Sequence, residues 1–464
     1  MKILLVVYDN DAYISWFPQG LAYIAAVLRK HGHQVTIYNQ DVYHWPDEHL
    51  TDYLNEHPFD LVGIGIIAGY YQYRKLLKLS ECINRSVNRP LFVLGGHGPS
   101  PEPEFFIKKT GADAIVIGEG ERTIIDLVDT FSGERNLSDV DGVAFMDANG
   151  KLVVTHPRAK IENIDAVDFP AWDLFPIDHY ALLRAYPGLP ARHRCLPVLS
   201  SRGCIFACSF CYRMDEGFRA RSAENILEEI DYLYKTYHIT AIEFSDELLM
   251  SSEKRTTELC EGFLRYKRKF TWACNGRLNF ATPSVLRLMK RAGCVFINYG
   301  IESLQQDVLN TMKKGLSVHQ IHRGVQATID ADIIPGLNII FGNRGETTDA
   351  LDQGVAFLLK YGDSSYMRTI RPVTPYPGSD LYHFAIDNNL LKDAEDFYEH
   401  QHVNSDLLSV NFTSLSDEDF HQALLKANCE LISNHYDTNR EKVIQSARKL
   451  YCEQDVAFRG FRHS

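Results

Sequence analysis

The 464-residue sequence has no excess of basic residues. Lys and Arg number 48 against 60 Asp and Glu, a formal charge of −12. Duplex or tRNA recognition needs a basic footprint that this balance does not supply. No apolar run reaches the roughly 20 residues of a membrane-spanning helix. The opening MKILLVVYDN places Asp9 and Asp11 after only six apolar residues, which is short for the apolar region of a secretory signal. A buried first strand is expected instead, and with it a cytoplasmic location. The composition, 45% hydrophobic, 23% charged and 11% aromatic, lacks the biases of disordered, collagenous or coiled-coil chains. The length predicts about three domains with ample core. A GxGxxG fingerprint is missing after the first strand, which disfavours a standard dinucleotide site. There are ten cysteines, but a long chain without an export signal is not expected to use them as a disulfide framework.

The first third alternates apolar runs with amphipathic stretches. The runs KILLVVY (2–8), QVTIY (34–38), LVGIGII (61–67), LFVL (91–94) and AIVI (114–117) are short and rich in Val and Ile. GLAYIAAVLRKHG (20–32) has helical spacing and ends in Gly32. Such alternation predicts a parallel sheet covered on both faces, with ligands at the carboxyl ends of its strands. Those ends carry YDNDAYISWFPQG (8–20), AGYYQY (68–73), GGHGPSPEP (95–103) and GEGER (118–122). Gly20, Gly65, Gly95, Gly96, Gly118 and Gly120, with Glu119, are the candidate ligand-binding residues there, because glycine permits close approach of a ligand to the backbone. GVAFMDANGKLVVT (142–155) predicts a hairpin around Asn149-Gly150. The Pro-, Asp- and aromatic-rich stretch 161–194 reads as a linker that packs on both neighbours.

LPVLSSRGCIFACSFCYR (196–213) is a strand followed by a loop with Cys204, Cys208 and Cys211. Three thiolates on one loop suit three irons of a cubane cluster and leave the fourth iron open to a ligand. The alternative is a structural zinc held by these three and Cys195 or a histidine; zinc ligands usually come as two separated pairs, which this spacing does not match.

After the triad, helical and strand patterns alternate. The strands are AIEFSD (241–246), FTWAC (270–274), VFINYG (295–300), IIPGLNIIFG (333–342) and SYMRTIRPV (365–373). With the cysteine strand they make six, the count of an open (β/α)6 barrel. Its chemistry is expected at the carboxyl ends of the strands. Candidate residues there are Ser245, Asp246 and Glu247, then Asn275 and Arg277, Glu302 and Ser303, Asn338, and Arg371. This mixed set could hold an ammonium, a carboxylate and a ribose diol.

The triad resembles that of the radical S-adenosylmethionine superfamily. YGIES (299–303), FGNRGET (341–347) and PYPGSDLY (375–382) resemble further segments of that family, although Asn343-Arg344 and Ser379 depart from its usual pattern. The front segments FPQGLAYIAAVL (17–28), VLGGHGPSPEPEFF (93–106) and IGEGERTIIDL (117–127) resemble its cobalamin-binding subclass, the group of the anaerobic magnesium-protoporphyrin cyclase and many C-methyltransferases. The resemblance covers roughly residues 1–385. It implies a [4Fe–4S] cluster on Cys204, Cys208 and Cys211, with S-adenosylmethionine on the open iron. One electron would cleave S-adenosylmethionine to methionine and a 5′-deoxyadenosyl radical. Phe210 and Tyr212 would lie beside the adenine, Glu302 would contact S-adenosylmethionine, and Asp246, Glu247, Arg277 and Asn338 would complete its site. It also implies cobalamin on the front domain, although the Asp-x-His-x-x-Gly motif is missing. His97 is read as a loop residue and not as a cobalt ligand.

The resulting expectation is an α/β protein. It has a doubly wound cobalamin-binding-like domain (1–155), a linker (156–195), a partial (β/α)6 barrel (196–382) and a helical tail (383–464). Its expected reaction is cobalamin-dependent methylation of a small molecule or peptide, fed by an electron donor such as flavodoxin or ferredoxin. A radical cyclase, dehydratase or other rearranging enzyme shares every cluster residue, and a non-catalytic metal-binding protein is the alternative from another class. Methylthiotransferases would need three further cysteines in the front domain, where residues 1–155 hold only Cys82. In the tail, SDEDFHQALLKANCELISNHY has an apolar stripe of helical period behind Ser416. Such a stripe usually packs on a core; set over the barrel mouth, it would also shape a substrate pocket. Cys260, Cys274, Cys294, Cys429 and Cys452 lack metal-like spacing and are expected to be buried thiols.

Overall fold

The computed structural model describes residues 1–11, 16–133, 136–181, 186–189, 193–214, 216–362 and 366–453. Parts of the expected first loop (12–15) and linker (182–185, 190–192), the first residue of the expected sixth barrel strand (Ser365) and the end of the tail lie outside these.

The front sheet comprises β1 (Lys2–Val7), β2 (Gln34–Asn39), β3 (Leu61–Gly65), β4 (Leu91–Gly95), β5 (Ala114–Val116), β6 (Val143–Met146) and β7 (Leu152–Val154), in the spatial order β2-β1-β3-β4-β5-β6-β7. The first five are mutually parallel, and β6 and β7 add an antiparallel hairpin turned at Asn149-Gly150. The uninterrupted apolar character of β1 follows from its two covered faces. Leu4 and Val6 enter one core with Tyr73, Leu76 and Phe106, whereas Ile3 and Leu5 enter another with Leu28 and Leu127.

The second sheet comprises β8 (Cys195–Val198), β11 (Ala241–Phe244), β12 (Thr271–Gly276), β13 (Cys294–Glu302), β14 (Ile334–Phe341) and β15 (Arg371–Pro372), all parallel and in that order, with helices between them. A small antiparallel clip, β9 (Ser201–Arg202) with β10 (Arg219–Ala220), brackets the cysteine loop. The barrel is open, as expected. Its sixth strand is shorter than the sequence pattern suggested, pairing only at Arg371–Pro372. The Asn428 side chain takes both backbone groups of Ile370, accepting from its N–H at 2.8 Å and donating to its C=O at 3.0 Å. The backbone there is satisfied by a helix and not by the sheet.

The two sheets are joined by an aromatic plug from the expected linker. Trp172 is buried and stacks on Phe17 at 4.4 Å, with Phe175 and Tyr180 edge-on to the same ring. Asn39 donates to the Tyr180 hydroxyl at 2.9 Å. This stretch is not irregular throughout: it holds short helical turns at Ile164–Ala166, Trp172–Leu174 and Ile177–Ala181.

The tail divides. Tyr382, Ala385, Phe397 and Tyr398 complete a front-domain core. The long helix Asp417–Cys452 is capped by Ser416 and packs Phe420, Leu424, Ala427 and Leu431 against the barrel, with Phe420 stacked on Phe341 at 4.9 Å. The first part of this helix therefore packs on the barrel, whereas past Leu431 its described residues are half-buried or exposed, Tyr436 and Val443 among them. No helix among the described residues is long and apolar enough to cross a membrane.

Candidate functional site

The cysteine loop is held from several sides. The fully buried Asp246 carboxylate, at the end of β11, accepts from the Ser200 N–H at 2.7 Å and the Ser200 hydroxyl at 2.8 Å, and also from the Ser201 N–H. Burial pushes this carboxyl up, and the serine donors pull it back down. Asp246 thus fixes the turn from which the loop departs. Further along, the Ser209 N–H donates to Met312 C=O at 3.0 Å, its C=O accepts from Leu381 N–H at 2.8 Å, and the Cys211 N–H donates to Cys208 C=O at 3.1 Å.

The three thiols sit at an accessible edge, with Cys211 exposed and Cys204 and Cys208 half-buried, while Cys82, Cys195, Cys260, Cys274 and Cys294 are buried; Cys429 and Cys452, expected to be buried, are instead exposed on the long tail helix. Desolvation raises the Cys204 thiol and carries Cys211 up to about 11, and in both cases the negative charge of Cys208 and Glu247 adds to it. Cationic groups flank the loop. Arg277 is buried, with Nη1 3.7 Å from the Cys208 Sγ and its guanidinium 3.4 Å above the Phe206 ring, and it donates to Lys314 C=O. Lys314 is also buried; it pairs with Glu302 at 2.7 Å and lies 5.7 Å from the centre of the Phe210 ring.

Glu302 owes its direction to a register shift between β13 and β14 and to a left-handed backbone, φ +68°. Gly300 leaves room for this pair, since a Cβ there would stand 2.2 Å from the Glu302 Oε1 and 2.9 Å from the Lys314 Nζ.

Two features speak against zinc. Cys195 lies at the opposite end of its strand, paired with Ala241 in the apolar floor of the barrel. Also, no group of three or more His, Cys, Asp or Glu among the described residues could hold one metal ion. In a cubane each thiolate binds a different iron, so no single point needs all three sulfurs. An accessible thiol trio beside Arg277 and Lys314 fits that cluster with an anionic ligand at its open iron.

Across the barrel mouth runs a chain of amides. Asn338 donates to Asn298 at 2.7 Å, Asn298 to Asn275 at 3.0 Å, and Asn275 to the Asp246 C=O at 2.8 Å. Ser245 donates to Gln19 of the front domain at 2.6 Å. The sequence singled out Asn275, Asn338 and Ser245 but missed Asn298, Lys314 and Gln19. Arg371 lies apart from this group, paired with Asp406 at 2.9 Å.

The front-domain residues gather at the carboxyl edge of their sheet. Gly20 lies in the helix Gln19–Lys30 that follows the first loop, Gly65 ends β3, Gly95 and Gly96 end β4, and Gly118 and Glu119 precede the helix that starts at Gly120. Gly96 has φ +97°, and a Cβ there would meet Ile66 C=O at 2.5 Å, so only glycine fits. Trp16 and Ile67 in the loops, and Tyr71 in the first turn of the helix Tyr70–Arg85, are exposed at this edge, an apolar surface of the kind a large flat macrocycle would cover.

This edge meets the cysteine loop. The His97 and Tyr212 rings are 6.1 Å apart, and Ser100 Oγ is 3.8 Å from the Met214 sulfur. Gly378 lies against both Tyr212 and Pro101: a Cβ there would stand 2.6 Å from the Tyr212 ring and 2.8 Å from the Pro101 Cβ. Glu119 accepts from Arg202 at 2.7 Å, from Arg219 at 2.8 Å and from the Ile161 N–H at 3.0 Å, and Arg202 also binds Glu121. Although burial pushes the Glu119 carboxyl up, Arg219, the Ile161 N–H and Arg202 together hold it below its ordinary value. The structure thus engages Glu119 in tying the front domain to the clip that carries the cysteine loop.

Comparison with known proteins agrees with this arrangement. Residues 5–128 match the B12 binding domain family and residues 198–358 the radical SAM superfamily. An uncharacterized methyltransferase of Pyrococcus horikoshii is 31% identical over 405 residues, covering 84% of each chain. The anaerobic magnesium-protoporphyrin IX monomethyl ester cyclase of Rubrivivax gelatinosus is 26% identical over 378 residues, 79% of this chain and 66% of the cyclase. Among solved structures, the radical S-adenosylmethionine methyltransferase TsrM from Kitasatospora setae, with cobalamin and a [4Fe–4S] cluster bound, shares the fold. Its TM-score is 0.73 at 17% identity, over 92% of this chain and 88% of that one.

Proposed function

Since the chain belongs to the radical S-adenosylmethionine enzymes that carry an N-terminal B12 binding domain, we propose that it transfers a methyl group to an unactivated position of a small molecule or peptide. Cys204, Cys208 and Cys211 hold the [4Fe–4S] cluster. Arg277 and Lys314 pair with the S-adenosylmethionine carboxylate, and Glu247 and Glu302 take its hydrogen-bond donors. Phe210 and Tyr212 flank its adenine, and the amide chain ending at Asn338 faces its ribose. Gly20, Gly65, Gly95, Gly96, Gly118 and Gly120 admit cobalamin to the front edge, while Glu119 and Asp246 act as positioning residues.

When bound, the cluster supplies the electron that cleaves S-adenosylmethionine to methionine and a 5′-deoxyadenosyl radical, and the corrin supplies a transferable methyl group. The residues of the chain orient these groups and hold the two sites together. The observation that carries this reading is the direct contact of the β4 loop of the front domain with the cysteine loop through His97 and Tyr212.

We assign the chain as a front domain (1–155), a linker (156–195), a barrel (196–382) and a tail (383–464), placed in the cytoplasm and served by a flavodoxin or ferredoxin. The test is anaerobic reconstitution with iron, sulfide and cobalamin, followed by methyl-labelled S-adenosylmethionine and a reductant. 5′-Deoxyadenosine together with label in a product one methyl heavier is expected. Absence of 5′-deoxyadenosine under every reducing condition rejects radical chemistry. Its formation with a product of unchanged carbon count supports the second reading, a rearrangement, which the cyclase relative favours.

A further inference from the structure

We propose that the barrel lumen is a subsite for a protonated amine of the substrate, bound by Glu243 at its floor; this names the substrate class and rests on the methyl-transfer reading above.

Glu243 lies on the inner face of β11. Its neighbours Ile242 and Phe244 point the other way, into the core shared with Ile230, Leu233 and Phe263 of the outer helices. Ala241, two residues back and on the same face as Glu243, lies in the floor with Tyr186, Leu189, Cys195, Ala273 and Phe296. Glu243 is paired in register with Pro197 of β8 and Ala273 of β12, so it stands just above that apolar floor. Ser245 and Asn338 are exposed although they belong to inner strands, and Glu243, Asn275 and Asn298 are half-buried. The lumen is therefore open to solvent at its mouth and apolar at its base.

The buried acids of the barrel all have donors. Asp246 has Ser200 and Ser201, Glu302 has Lys314, Glu229 has Arg221, and Glu346 has the Gly342 and Asn343 backbone. Among the described residues, no hydrogen-bond donor or cationic side chain reaches the Glu243 carboxylate. Glu243 is thus a half-buried carboxylate in an open lumen with no partner of its own, a group that a cationic ligand or a proton can match. Burial pushes its carboxyl up to about 7. The titratable groups that face it, Cys195 from β8 and Tyr186 from the segment below, are both pushed up by burial and stay neutral, so neither supplies positive charge. Above it the amide chain is neutral, and the cations Arg277 and Lys314 are at the cysteine loop. Anion binding and cation binding are thus separated. The substrate would carry its amine on an arm that extends from the mouth toward the floor.

The test compares hexylamine, hexanol and hexanoate by calorimetric binding to the cluster- and cobalamin-loaded full chain. Hexylamine should bind at least about tenfold more tightly than either isostere. Its affinity should fall about tenfold per pH unit below about 7 and level off above, because the carboxyl must be ionised to hold the ammonium. Glu243→Gln should erase both the preference and the pH dependence. Equal binding of the three probes, or a preference that survives in Glu243→Gln, overturns the proposal. Should that variant fold poorly, the wild-type pH profile decides alone: a flat profile overturns it. Cleavage of S-adenosylmethionine by the wild type is measured separately. Its failure would reject the reaction and leave an amine preference standing.

Discussion

The seam between the two sheets and the lumen of the barrel treat their carboxylates in opposite ways. At the seam, Glu119 and Glu121 face Arg202, and Arg219 adds a second cation to Glu119. In the lumen, Glu243 meets only neutral groups among the described residues. Matched charges in a dry place fix geometry, because each partner holds the other in one orientation. An unmatched charge is unfavourable until something arrives to match it. The seam therefore builds the relation between the front edge and the cysteine loop, and the lumen is where the molecule addresses a ligand.

The most severe test of this division removes the thiols. Cys204→Ala, Cys208→Ala or Cys211→Ala should abolish the visible cluster absorbance and 5′-deoxyadenosine formation, while the thermal midpoint of the unloaded protein barely moves, since these side chains lie outside the core. Cys195→Ala should do the reverse, keeping the absorbance and lowering stability, because that thiol sits in the barrel floor. A cluster that survives loss of one loop cysteine, read by absorbance and iron content, would remove the basis of the site.

Next in size is the seam. Arg202→Ala leaves Glu119 and Glu121 short of a partner in a buried place, at a cost of about 3–5 kcal/mol, measured by denaturant unfolding. In a Glu119→Gln, Glu121→Gln background the same substitution should cost far less. Equal cost in both backgrounds would mean that Arg202 acts through packing, for instance on the Tyr23 ring 5.4 Å away. The pairing also sets a pH dependence: the Glu119 carboxyl is held low, so its stabilisation is present above its unfolded value and is lost as acid protonates it.

Much of this was legible in the residue pattern. Apolar runs bounded by Gly, Asp or Pro marked both sheets, since strands covered on two faces need continuous apolar sequence. The spacing of Cys204, Cys208 and Cys211 marked the loop. What stayed hidden depends on partners distant in sequence. Lys314 reads as one of two adjacent lysines until the fold sets it on Glu302. Asn298 is one polar residue in an apolar strand until Asn275 and Asn338 flank it. Glu119 reads as part of a glycine-rich turn, yet Arg202 and Arg219, 83 and 100 residues on, converge on it. The sixth strand was overestimated because MRTIRPV has strand-like alternation, and nothing local signals that Asn428 takes the Ile370 backbone. Pattern reports which face is covered; it does not report which charge answers which.

A smaller effect is expected at the turn that launches the cysteine loop. Asp246→Asn keeps the size of the side chain but gives it an amide donor, which cannot accept from Ser200 and Ser201 through both ends. A loss of about 1–3 kcal/mol is expected for the buried donors left unmatched. The cluster should still assemble, more slowly and with lower iron occupancy, because the loop departs from a looser turn. Unchanged stability would show that water replaces the carboxylate at this position.

The smallest effect carries an unusual sign. Glu243 has its carboxyl pushed up to about 7 in the folded chain by burial, against an ordinary value near 4.3. The folded state therefore binds this proton more tightly than the unfolded state. The sign follows: folding is least disfavoured below the unfolded value, and stability declines as pH rises through the folded one. Glu243→Gln removes the ionisable group and keeps the shape. It should raise the thermal midpoint at pH 8 and leave it nearly unchanged at pH 4, the opposite of what loss of a paired acid such as Glu119 would do. Hexylamine at saturating concentration should give wild type a larger stabilisation at pH 8 than at pH 5, by the usual coupling of binding to folding. A midpoint that falls at pH 8 in Glu243→Gln would mean that the carboxylate already has a partner inside the barrel, and the contrast between seam and lumen would collapse.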